Sequence, residues 1–117
     1  MNKIIVDAIM RELNHFRFRR GSLSYQYLIE AIYLVIVDRS SIKNFYQNIY
    51  VPIAKKYNTR PDNIQWSLSK LINLMYLNTS NEIVSNYFCF YMEEKPTLKF
   101  FIITVAQNVN DSLVISC

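Results

Sequence analysis

Between Tyr50 and Ile72 the chain reads YVPIAKKYNTRPDNIQWSLSKLI, and its polar side chains fall into two sets with different chemistry. Lys55, Lys56, Thr59 and Arg60 sit around a turn and offer cations and a hydroxyl, the groups that satisfy phosphate oxygens. Asn63, Gln65, Trp66, Ser69 and Lys70, with Asp62 and Asn73, form the polar face of the helix that follows. Asn and Gln amides pair with adenine through two hydrogen bonds, and a Lys ammonium donates to guanine. In this order the two sets fit a helix-turn-helix whose second helix enters the major groove of double-stranded DNA while the first crosses the backbone. The same spacing also fits an αα-hairpin inside a bundle, with a solvated polar face.

The remaining reactive groups give less. His15 is the sole histidine, and at the end of a first helix its expected role is capping or solvent exposure. Glu93 and Glu94 are adjacent, so they point apart and read as a solvated pair. Cys89 and Cys117 have neither metal-ligand spacing nor a disulfide framework, and read as a buried thiol and a loose terminal one in a reducing cytosol. There is no Gly-rich phosphate loop, no HExxH-type zinc motif and no serine on a glycine elbow. No enzyme activity, metal site, cofactor or small-molecule substrate is expected.

Elements must position these groups. Of 117 residues, 51% are hydrophobic, which excludes disorder, and a single Gly with three Pro argues against a fold rich in tight β-turns. The expected fold class is all-α, a compact bundle of about six helices containing the helix-turn-helix, with no sheet and a single domain over 1–117. Ile4, Ile5, Ala8, Ile9 and Leu13 recur at helical spacing. Phe16 to Gly21, with Arg17, Arg19 and Arg20, reads as a loop. Ser22 or Ser24 caps a central, buried helix to about Val37. Ser40 and Ser41 offer a cap for a short helix over Ile42 to Asn48, followed by another from about Tyr50 to Tyr57 with Pro52 in its first turn.

Asn58 accepts the left-handed conformation that the next turn requires. Ala54 is small where the two helices cross, and Ile53, Tyr57, Ile64 and Leu68 are expected in the angle between them. The second helix starts at Pro61, favoured by Asp62 at its positive end, carries a stripe of Ile64, Leu68, Leu71, Ile72 and Met75, and ends at Asn78–Thr79. Ser80 starts a short helix from Glu82 to Phe88; Cys89 to Met92 read as a packed loop. Pro96–Thr97 open a last helix, and the tail from Asn110 to Cys117 is expected to fray. The net charge of +4 is compatible with a nucleic-acid partner without demanding one. The longest apolar run, Ala31 to Val37, is too short for a bilayer, and with no signal peptide the expected location is the cytoplasm.

YLIEAI at Tyr27–Ile32 and, without a gap in the spacing, YVPIAKKYNT at Tyr50–Thr59 resemble the C-terminal effector domain of the sporulation initiation response regulator, the stage zero sporulation protein A family. Lys95, Pro96, Thr97, Phe101 and Ile102 match a further KPT and Phe-Ile pattern, so the resemblance covers roughly residues 4 to 109. It implies a bundle with a recognition helix in the major groove, a role in transcription regulation, head-to-tail pairing on tandem sites through the last helix, and no cofactor.

Two departures qualify it. The family carries a receiver domain ahead of this region, and none is expected here; the chain reads either as an excised domain or as a stand-alone relative. The family's recognition helix reads approximately SRVERAIRHAI where this chain has DNIQWSLSKLI. Asn63, Trp66 and Ser69 stand where the family has arginines, Gln65 replaces the glutamate and Lys70 the histidine. A bidentate Arg–guanine contact carries about 1–3 kcal/mol of discrimination, so the family's target sequence does not transfer. Three readings remain: DNA binding with altered specificity; a protein-interaction module of the same fold, in which Trp66 is either an exposed anchor or packed on the preceding helix or a neighbouring loop; and a relative that pairs with the full-length regulator through its last helix and blocks its activity.

Overall fold

A computed structural model of the chain describes residues 1–88 and 96–116, with side chains as far as Leu113. The expected packed loop at 89–92, Cys89, Glu93, Glu94, Lys95 and Cys117 lie outside the described residues. Those residues form six α-helices and no strand: α1 Lys3–Leu13, α2 Leu23–Val37, α3 Val51–Lys56, α4 Pro61–Asn78, α5 Asn81–Phe88 and α6 Leu98–Ser116. Local chemistry explains the starts. The Asn2 side chain accepts from the backbone N–H groups of Ile4 and Ile5, and Ser22 accepts from Tyr25. Ser80 and Thr97 do the same for Ile83 and Phe100.

The centre of the molecule is α2, where Tyr25, Leu28, Ile29, Ala31, Ile32 and Val35 are all buried, and α1, α4 and α6 pack around it. A helix apolar nearly all round has this place open to it and few others. Phe101, Ile102, Val105, Ala106 and Val109 bring α6 onto the same core.

Two segments depart from expectation. Arg39–Lys43 is a 3-10 turn capped by Asp38, whose carboxylate accepts from the backbone and hydroxyl of Ser40. Tyr46–Tyr50 is a π-helical turn leading directly into α3. No regular helix therefore spans Ile42 to Asn48. The reason lies at Pro52, which has no N–H to return to Asn48, while Val51 N–H bonds back to Tyr46 in the wider register. At the other end, α6 continues to Ser116 where a frayed tail was expected.

Candidate nucleic-acid interface

The turn between α3 and α4 is built as the sequence predicts. Asn58 has φ of 54°, the one positive φ among the described residues, and Gly21 is not used this way. Thr59 N–H bonds to the Ala54 carbonyl at 2.9 Å and Asn58 N–H to that of Lys55 at 3.4 Å, the pair of bonds that closes a Schellman cap. Ala54 is 1% exposed beneath it. Arg60 is extended and Pro61 opens α4, with Asp62 in its first turn. The π turn packs against α4, and desolvation with the nearby Asp62 carboxylate raises the Tyr46 phenol above its usual range.

Helix α4 is seated by the predicted stripe: Ile64, Leu68, Leu71, Ile72 and Met75 are all buried. Ile53 joins Ile64 and Leu68 in the core, but Tyr57 does not close the same angle. It is half-buried, its ring meets Tyr27 of α2 edge-on at 5.0 Å, and its hydroxyl donates to Glu30. The seated stripe leaves Asp62, Asn63, Gln65, Trp66, Ser69, Lys70 and Asn73 exposed on the outer side.

Among these, Asn63 is partly engaged, because its side-chain amide donates to the Thr59 hydroxyl at 3.0 Å. That bond joins a residue of the expected phosphate set to one of the expected base-reading set. Trp66 is 64% exposed, with the Lys70 ammonium 5.0 Å from its ring centroid, a cation–π contact.

The expected phosphate contacts separate. Lys55, Thr59 and Arg60 lie around the turn, Lys55 and Arg60 exposed and Thr59 half-buried. Lys56 is committed elsewhere: its ammonium lies 2.6 Å from the Glu30 carboxylate, itself buried in α2. The Tyr57 hydroxyl takes the second carboxylate oxygen, and burial together with Glu30 pushes that phenol up to about 12. Glu30 belongs to YLIEAI and the Lys56–Tyr57 pair to IAKKYNT, so the two most telling strings of the sequence meet in one polar cluster.

A further pair of cations reaches this side of the molecule without having been singled out for it. Phe16 and Phe18 turn inward, Phe16 against Phe101 at 5.1 Å and Phe18 against Tyr25 at 5.8 Å. The alternation of the segment then turns Arg17 and Arg19 outward. The backbone N–H of Arg17 donates to the buried Thr79 hydroxyl at 2.9 Å, which ties this connection to the end of α4. His15 is exposed and packs against Tyr87 at 5.3 Å.

No cluster of His, Cys, Asp and Glu able to hold a metal occurs among the described residues, and no described helix is long and apolar enough to cross a membrane. The family model described as the sporulation initiation factor Spo0A C terminal matches residues 6–109.

Proposed function

The chain belongs to the Spo0A C-terminal family, whose effector domains bind DNA, and on that footing we propose that α4 docks in the major groove of double-stranded DNA as the second helix of a helix-turn-helix. Asn63, Gln65, Ser69 and Lys70 read base edges there, and Lys55, Thr59 and Arg60 hold phosphates. Lys56 contributes less, because its charge is shared with Glu30. The site read differs from the family's own, since no arginine occupies the outer face of α4. The protein works as a cytoplasmic transcription regulator without a cofactor.

One observation carries this reading. With the apolar stripe of α4 buried, Asp62, Asn63, Gln65, Ser69, Lys70 and Asn73 face outward around Trp66, next to a cationic turn. Fluorescence anisotropy with duplexes of random and selected sequence tests it. Affinity is expected to fall with salt, at a log–log slope of about −0.9 per phosphate neutralised. Absence of binding to any duplex at low salt would sink the reading.

A second reading rests on a different observation. Trp66 at 64%, Leu74 at 48% and Leu77 at 72% exposed make α4 unusually apolar on its outer side. An exposed indole of this kind is the commonest anchor of a protein interface. Under that reading a protein captured by the wild-type chain is lost on Trp66→Ala, and unchanged capture rules it out.

A further inference from the structure

The α1–α2 connection and α4 bound a groove of about 460 Å³. Arg17 and Arg19 form one wall, and Trp66, Lys70, Leu74 and Asn78 line the other at four-residue spacing. Phe18, Leu71 and Met75 contribute apolar surface, and no carboxylate of the described residues lines the groove. Three cations with no acid among the described residues of the groove, beside an exposed indole, suit an anionic occupant. This is not a chance meeting of mobile side chains, because the backbone beneath Arg17 is fixed by Thr79 and Phe16 and Phe18 are held in aromatic packing.

The groove's position identifies the anion. Trp66 and Lys70 belong at once to the outer face of α4 and to the groove wall, so the groove flanks the helix along its length. A helix lying in the major groove has a phosphate backbone running along each side of it. We propose that the backbone of one DNA strand lies in this groove, its phosphates held by Arg17 and Arg19, with Trp66 against the sugar edge and Lys70 at the border between that backbone and the bases. The Arg17–Arg19 segment is then a second phosphate-binding element, on a different flank from the turn that carries Lys55 and Arg60. The inference rests on the DNA reading above and extends it to a part of the chain outside α3 and α4. It also gives the indole a function: Trp66 lies along the sugar edge and holds Lys70 beside it through the cation–π contact.

The test is a salt titration of duplex binding for the wild type, for Arg17→Ala/Arg19→Ala, for Arg17→Lys/Arg19→Lys, and for Arg20→Ala, whose side chain lies outside the groove. Circular dichroism establishes that each variant is folded, as expected for exposed positions. The double alanine variant is expected to lose about two units of log–log slope magnitude and roughly 10- to 100-fold in affinity at about 0.1 M salt, similarly on every duplex sequence. The lysine variant is expected to recover most of the slope, and Arg20→Ala to lose less than half of what the double alanine variant loses. Trp66 is the chain's one tryptophan, so its emission reports occupancy of the groove directly and is expected to change on duplex addition. A wild-type slope in the double alanine variant overturns the clamp while leaving the DNA reading intact. So does Trp66 emission that answers an acidic, aromatic peptide but not a duplex, which would assign the groove to a protein. No duplex binding by the wild type overturns both.

Discussion

At the scale of single residues, the turn before α4 depends on Asn58. A β-branched side chain pays about 1–2 kcal/mol in the left-handed region, which Asn partly escapes and Gly avoids. Asn58→Val is therefore expected to lower stability by about 1–2 kcal/mol in urea denaturation, with Asn58→Gly within about 0.5 kcal/mol of wild type. The neighbouring lysines are expected to part ways. Lys55→Ala should leave stability within about 0.5 kcal/mol and take about 0.9 from the salt slope of duplex binding. Lys56→Ala should instead destabilise by about 1 kcal/mol, a figure kept small because the lysine is half exposed, and should hardly alter the slope. Equal slope losses for the two would contradict the Glu30 assignment.

Tyr57 adds a pH signature. Its phenol titrates at about 12 in the folded chain and near 10 in the unfolded one. The folded state then holds the proton more tightly, so this stabilisation is complete below the unfolded value and is lost as pH rises from about 10 toward about 12. Denaturation midpoints should fall over that range, and fall less steeply in Tyr57→Phe. An unchanged fall would mean that Tyr25, Tyr50 and Tyr87, whose phenols are also raised, account for all of it.

At the scale of elements, legibility tracked how local the determining interactions are. The bounds and buried stripe of α4 could be read from Ile64 to Met75 because helical periodicity and burial agree at every position. The same held for Ser22 as the start of α2. The stretch from Ile42 to Asn48 departs from the expected regular helix because the Asp38 and Asn44 side chains give the backbone competing partners, and because the missing Pro52 donor acts several residues upstream. The commitment of Lys56 joins residues 26 positions apart, a distance over which spacing carries no signal. Arg17 and Arg19 were read simply as loop residues, although the Phe-Arg-Phe-Arg alternation marks an inward and an outward side. Their direction is set by Tyr25, Phe101 and Thr79. Thr79→Val keeps the shape and removes the acceptor for Arg17 N–H, so it is expected to cost about 1–2 kcal/mol in thermal or urea unfolding. It should also weaken duplex binding more than a substitution at Ser80, since it loosens the connection that presents Arg17.

At the scale of the whole molecule, the match to the Spo0A C-terminal family runs over residues 6–109, from α1 into α6, around the buried α2. The proposed reading surface on α4 is built of amides, a hydroxyl, one lysine and an indole, flanked by cations from the turn on one part and from the α1–α2 connection on another. Such a surface is expected to bind DNA with a specificity weighted toward A·T contacts, because Asn63 and Gln65 suit adenine. The most direct test is an unbiased selection from a random duplex pool with the purified chain, run beside Asn63→Ala/Gln65→Ala. Enrichment of a defined motif by the wild type, and its loss or change in the variant, is the predicted result. A pool that emerges unenriched, or an identical motif from both proteins, would contradict the assignment of α4 as the reading helix.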